Sequence, residues 1–281
     1  MLFFNRAPIV PVLRFSGPIG MVTPLRPGLS LAAVAGSIEK AFALSKLPTV
    51  AIVINSPGGS PVQSHLIFSR IRQLAREKDK RVYVFCEDIA ASGGYFLALA
   101  GDEIYADPSS IVGSRGVISA SFGLDKFIER FDIKRRVYTS GSNKGALDPF
   151  QPERPEDVAR LKDLQRDVHD VFTGIVKERR AGKLKGPDEE LFSGAFWSAA
   201  KAHDYGLIDG IADLRSKMQA LYGTKVRLKA VPLAQGGLLS RFRRLPGFQP
   251  LSDDGFAFRS SLADDLVSAV EARALWSRYG L

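Results

Sequence analysis

The sequence predicts an α/β protein with a mainly parallel sheet. Three observations carry that reading: apolar runs too short and too β-branched for helices, amphipathic stretches between them, and glycine-framed turns where the runs end. Residues 50–54 (VAIVI) have no polar alternation, as a strand covered on both faces requires. Residues 81–85 (RVYVF) repeat the pattern, and Cys86 closes that strand. Strand-helix-strand repetition with buried strands implies parallel βαβ units.

The elements follow in order. Residues 9–15 read as an opening strand, placed at a sheet edge because Pro11 cannot donate to a ladder. Residues 31–44 carry apolar side chains at helical spacing, and residues 61–76 read as a helix with Pro61 in its first turn. Residues 92–100 form an apolar helix and 103–106 a short strand. A strand is expected at 136–139, a long charged amphipathic helix at 155–180, and short helices across 191–221. Beyond Gly236, Gly-Gly and Pro-Gly punctuation marks a loop-rich stretch, with a last helix at 262–279. The expected division is a domain over 1–235 and an extension over 236–281.

Composition excludes several classes. With 281 residues, 45% hydrophobic and 25% charged, the chain can bury a substantial core and is not disordered as a whole. The net charge of +9 is spread out; Lys134-Arg135-Arg136 and Arg241-Phe242-Arg243-Arg244 are the densest runs, and both are short. Solvated surface is therefore expected there, with peripheral membrane contact kept open and nucleic acid not expected. The single cysteine, Cys86, permits no intrachain disulfide and reads as a small core residue. The N-terminus is too short and interrupted for a signal or spanning segment, so a cytoplasmic location is expected, membrane association remaining open. No cofactor and no metal are called for.

Two turns carry the chemistry. Ala90-Ala91-Ser92-Gly93-Gly94-Tyr95 puts a serine before an apolar helix, with small neighbours that let a carbonyl approach. The Gly93 N–H is then an oxyanion donor; read alone, Ser92 also fits an ordinary helix N-cap. Asn55-Ser56-Pro57-Gly58-Gly59 follows a buried strand, at the carboxyl end where open α/β sheets bind ligands, and Gly58 or Gly59 offers a second donor. It also fits a plain strand-to-helix turn, and the spacing is not that of a phosphate loop. His65, His169 and His203 have no triad-like surroundings. Lys144, in Gly141-Ser142-Asn143-Lys144-Gly145, lies in a turn rather than on a helical charge face, and a lysine whose pKa is lowered by burial can serve as a general base.

Together these segments resemble the signal peptide peptidase A (SppA) family of serine peptidases. The matching stretches are Asn-Ser-Pro-Gly-Gly at 55–59, Ala-Ala-Ser-Gly-Gly-Tyr at 90–95, Gly-Ser-Arg-Gly-Val at 113–117, Gly-Ser-Asn-Lys at 141–144, and Phe196-Trp197, Ala202 and Gly206-Leu207-Ile208-Asp209. The resemblance runs from about residue 49 to 214. It implies a ClpP/crotonase-like fold of repeated ββα units. It also implies Ser92 as nucleophile, Lys144 as base, Ser114 as the hydroxyl that orients the lysine, and an oxyanion hole from Gly93 with Gly58 or Gly59. A homo-oligomeric ring or dome, from tetramer to octamer, is implied as well. The chain departs from the pattern at Arg115, where a small apolar residue is usual, and in carrying no visible anchor. Arg115 and Tyr95 are assigned to substrate binding, with Tyr95, Phe96 and Leu97 as apolar walls. The expected function is an endopeptidase cutting signal-peptide remnants, other small peptides or unfolded protein through an acyl-enzyme. The alternatives are a crotonase-like acyl-CoA enzyme and an inactive scaffold at a membrane surface.

Overall fold

The structure, a computed structural model, describes residues 7–20, 28–141, 143–233, 270 and 273–281. Ser142, most of the extension over 236–281, the 241–244 basic run and most of the expected last helix lie outside the described residues. The described chain forms two compact units, one within Met1–Arg115 and Ile175–Leu281, the other Gly116–Gly174.

The first unit is α/β. Its elements are β1 (Ile9–Ser16), α1 (Leu31–Ala43), β2 (Thr49–Ser56), α2 (Pro61–Glu77), β3 (Arg81–Ala91), α3 (Gly93–Ala98), β4 (Glu103–Ala106) and β5 (Ile111–Gly113). The second unit holds α4 (Asp125–Glu129) and most of α5 (Pro155–Arg179), whose last residues from Ile175 return to the first. There follow α6 (Asp188–Leu191), β6 (Phe196–Ser198), α7 (Ala199–Asp204), β7 (Gly210–Ile211), α8 (Leu214–Tyr222) and β8 (Arg227–Ala230). One eight-stranded sheet runs β6-β5-β3-β2-β1-β8, with β4 on β3 and β7 on β4. Among the described residues only the β5–β6 pair is antiparallel.

The uninterrupted apolar strands are explained by cover on both faces. Val10, Val12, Ala51, Val53, Tyr83, Phe85 and Tyr105 form one buried face with Met218 of α8. On the alternate residues Leu13, Phe15, Ile52, Ile54 and Val84 are also fully enclosed; α1 packs on β1, and α3 on β2 and β3. Side chains alternate with period two, so both sets must be apolar.

Three expectations are corrected. β1 is not an edge strand, since it lies between β2 and β8. Pro11 is tolerated because β1 begins pairing with β2 only at Val12, so at Pro11 the sheet is locally one-sided. β3 does not end at Cys86 but runs on to Ala91. Its polar stretch is carried by side-chain bonds, Glu87 to Arg14 and Asp88 to Asn55, where the register to β2 shifts. Residues 136–139 form no strand: they are exposed and have no sheet neighbour among the described residues, so the β-branched Val137 and Thr139 had no ladder to join.

Candidate active site

The carboxyl ends of β2, β3 and β5 lie side by side, with Ser56 registered against Ala90 and Ala91 against Gly113. Each strand runs straight into a turn with positive φ: Gly58 at 104°, Ser92 at 52° and Ser114 at 53°.

Ser92 is where the cap reading and the nucleophile reading part. A capping serine takes extended backbone angles and accepts a bond from the helix's first turn. Ser30, Ser60, Ser198 and Asp213 all accept such a bond in this chain. Ser92 does not: its φ, ψ are 52°, −121°, and its side chain makes no cap bond. A non-glycine residue held there costs about 1–3 kcal/mol, a strain that concentrates at functional sites. The surroundings fix the conformation. The Ser92 N–H donates to Gly113 O at 2.8 Å, and the residue is half-buried.

Gly58 and Gly93 close the space around it. A Cβ on Gly58 would lie 2.7 Å from Ser92 Cβ and 2.8 Å from the Gly93 nitrogen. One on Gly93 would lie 2.5 Å from Ser64 Oγ, a buried hydroxyl that donates to Ser60 O. Side chains at either position would displace the backbone beside Ser92. The Gly93 N–H stands in the first turn of α3, where it has no intrahelical acceptor. The Gly58 N–H donates to Ser56 Oγ at 3.2 Å, and Ser56 Oγ itself donates to Gly17 O at 2.7 Å. Ile19 bridges this turn through Gly58 O and the Ser60 N–H, a bridge in which the Gly59 N–H takes no part.

The remaining residues are placed as follows. Ser114 is anchored by its N–H to Ala195 O at 2.7 Å, and its hydroxyl lies 3.1 Å from Tyr279 Oη. Tyr279 also packs edge-on against Phe196. Lys144 is exposed, in a turn of the second unit where its N–H donates to Gly141 O. His65 is exposed and packs on Phe68 and Phe96. Tyr95, Phe96 and Leu97 are enclosed in this chain rather than lining an open pocket. Tyr95 donates its hydroxyl to Leu207 O, and burial pushes its pKa up to about 12. Arg115 is 1% exposed, and its guanidinium faces the rings of Tyr95, Phe192 and Trp197.

The motif that closes the first unit is structural. Asp209 accepts from the Ile104 N–H, from both terminal nitrogens of Arg180 and from Lys183. Arg180, 2% exposed, also donates to Gly206 O. Burial raises the Asp209 carboxyl, but these hydrogen bonds and the Arg180 charge outweigh it and leave its pKa lowered. The Ser56 and Ser64 hydroxyls and Tyr279 were missed by sequence reasoning. Of these only Ser56, inside the first glycine turn, carried any local signal. Among the described residues no group of histidine, cysteine, aspartate or glutamate could hold a metal ion, and no helix is long and apolar enough to cross a membrane.

Comparison with known proteins bears on the family to which the chain belongs. The chain is 55% identical over 275 residues to proteins named Na(+)/H(+) antiporter NhaA from Brucella abortus (strain 2308) and Brucella melitensis biotype 1, matching 97% of this chain and 37% of each relative. It is 30% identical over 210 residues to the chloroplastic serine protease SPPA of Arabidopsis thaliana, matching 73% of this chain and 31% of that protein. The chain thus spans little more than a third of the length of the Brucella relatives. The family model for peptidase family S49 matches residues 74–225, a stretch that holds Ser92, Ser114, Arg115 and Lys144. That match covers more than half of the sequence, on a mostly parallel α/β sheet, and this chain belongs to peptidase family S49.

Proposed function

We propose that this chain is a serine peptidase in which Ser92 is the nucleophile and Lys144 the general base. The observation that carries the reading is the uncapped, positive-φ conformation of Ser92 between Gly58 and Gly93. Ser92 Oγ attacks the peptide carbonyl carbon while its proton passes to Lys144 Nζ. The oxyanion is received by the Gly93 N–H and an N–H of the Gly58-Gly59 turn. The C–N bond then breaks, the proton passes to the leaving amine, and water hydrolyses the ester. Ser114 orients the lysine. The substrates are small peptides, signal-peptide remnants or unfolded protein, and membership in S49 favours them over acyl-CoA thioesters.

An ammonium becomes a base only where water is excluded. Lys144 is exposed in the isolated chain, so the enclosure comes from bound peptide or from a second copy. Assembly into a homo-oligomer is supported by the second unit, where Phe122, Phe131 and Tyr138 are 83%, 63% and 90% exposed.

The test is hydrolysis of a fluorogenic peptide by purified Ser92→Ala and Lys144→Ala proteins. Each is expected to lose at least about a thousandfold in kcat with an unchanged melting curve. Near-normal turnover in Lys144→Ala protein removes lysine from the mechanism; turnover in Ser92→Ala removes the nucleophile.

A further inference from the structure

Two arginines of the first unit are almost wholly enclosed, and they are treated in opposite ways. Arg180, 2% exposed, spends its guanidinium on Gly206 O and both carboxylate oxygens of Asp209. Arg115, 1% exposed, has no hydrogen-bond acceptor for Nε, Nη1 or Nη2 among the described residues. Its guanidinium carbon lies 5.0 Å from the centre of the Phe192 ring, 5.1 Å from Trp197 and 5.7 Å from Tyr95. Ring faces recover part of the cost of desolvating a cation, though less than a carboxylate would. Arginine remains protonated under these conditions. Among the described residues no acid neutralises this buried positive charge, and such a group asks for an explanation.

Its position supplies one. Arg115 follows Ser114 on the turn whose preceding residue, Gly113, accepts the Ser92 N–H at 2.8 Å. Tyr95, one of the three rings, stands one turn along α3 from Ser92. With one helical turn from Ser92 to Tyr95 and 5.7 Å from the Tyr95 ring centre to the guanidinium, the cation lies on the order of 10 Å from the serine. We propose that Arg115 is a positioning residue whose charge, held in place by Tyr95, Phe192 and Trp197, stabilises the oxyanion that forms beside Ser92 during attack. The cage serves this role because it fixes the cation without quenching it, as an aspartate partner would. A unit charge about 10 Å away at an effective dielectric near 20 changes the rate of a step that develops a full negative charge by about tenfold.

The inference rests on Ser92 being the nucleophile, and the experiment separates the two. The full chain, with Ser92→Ala, Arg115→Met and Arg115→Lys variants, is titrated with a fluorophosphonate probe, and the rate of covalent labelling is followed alongside peptide kcat, KM and Tm. Wild-type protein labels at Ser92 and Ser92→Ala does not. Arg115→Met labels about tenfold more slowly and loses a similar factor in kcat, with KM within twofold and Tm equal or higher, because an unpaired buried charge has been removed. Arg115→Lys, which keeps the charge, recovers to within about threefold of wild type. If Arg115→Met fails to fold, Arg115→Gln replaces it as the neutral member of the comparison. Labelling of the neutral variant within twofold of wild type overturns the inference, as does a lysine variant as slow as the neutral one. Wild-type protein that does not label at Ser92 overturns the nucleophile and the inference with it.

Discussion

Replacing Asp209 with asparagine should destabilise the first unit more than any other single charge change in it. The carboxylate takes the Ile104 N–H at 2.8 Å, Arg180 Nη1 at 2.7 Å, Arg180 Nη2 at 3.2 Å and Lys183 Nζ at 2.6 Å. An asparagine turns one of the two acceptors into a donor facing cations. It leaves Arg180, 2% exposed, with Gly206 O and one uncharged amide oxygen, and no counter-charge. Two charge-assisted bonds are lost and a buried guanidinium is stranded, which costs about 3–5 kcal/mol. For a chain of this size that lowers Tm by roughly 10 °C. Urea unfolding and thermal melts at pH 7 measure both quantities. The pH dependence has a fixed sign. The Asp209 pKa is lowered in the folded state, so its contribution is complete above the unfolded value near 4 and is lost as pH falls through the folded value. The gap between wild type and Asp209→Asn should therefore hold from about pH 7 to 5 and narrow only below about pH 4. A gap under about 1 kcal/mol at pH 7, or one that closes already at pH 6, refutes the reasoning.

Gly58→Ala forces a side chain into φ 104° and within 2.7 Å of Ser92 Cβ; about 1–3 kcal/mol of stability and at least a hundredfold in kcat should be lost, measured by melting and peptide hydrolysis. Ser60→Ala removes the side chain that accepts the Gln63 N–H at the start of α2, so a loss of about 1 kcal/mol in urea unfolding is expected with kcat nearly intact. Burial raises the Cys86 thiol to about 12, so a thiol reagent at pH 8 should leave the native chain unmodified and react with one equivalent after denaturation; rapid labelling of native protein would contradict its placement in the core.

The sequence made the sheet legible where burial on both faces forced a simple pattern. The middle of β2, residues 50–54, and residues 82–86 of β3 could be read because every one of them is buried and apolar. The second half of β3 could not, because Glu87 and Asp88 look like a loop until Arg14 and Asn55 are seen across the sheet. The same limit hid β5 and β6, three residues each, whose pairing depends on Trp197 fitting against Gly113. Residues 136–139 failed in the other direction: local β propensity promised a strand that no neighbour was there to complete. At the site, Ser92, Gly58 and Gly93 were legible because their neighbours are small. The burial of Arg115 and Tyr95 was not, since enclosure depends on Phe192, Trp197 and Leu207, far along the chain.

What joins the legible and hidden parts is the sheet itself. Parallel strands bring their carboxyl ends to one edge, so the turns after β2, β3 and β5 meet although they lie far apart in sequence. Gly58, Ser92 and Ser114 are the residues that follow closely on those strands, and all three are held at positive φ. Glycine takes such a φ freely, but the two serines do not, and the strain of both has to be offset by the packing behind them. That packing is the enclosed core of Ile54, Val84, Ile89 and Leu97, with the Ser64 hydroxyl and the Ser56 carbonyl filling the space that side chains on Gly93 and Gly94 would otherwise claim. A rigid sheet edge that presents one uncapped serine between two glycines is what acyl transfer needs, because the oxyanion donors must be in place before the charge forms. The same core encloses Arg115, whose guanidinium has no hydrogen-bond acceptor among the described residues, and relieving either the strained serine or the enclosed cation should stabilise the chain and, if both act as proposed, slow its chemistry.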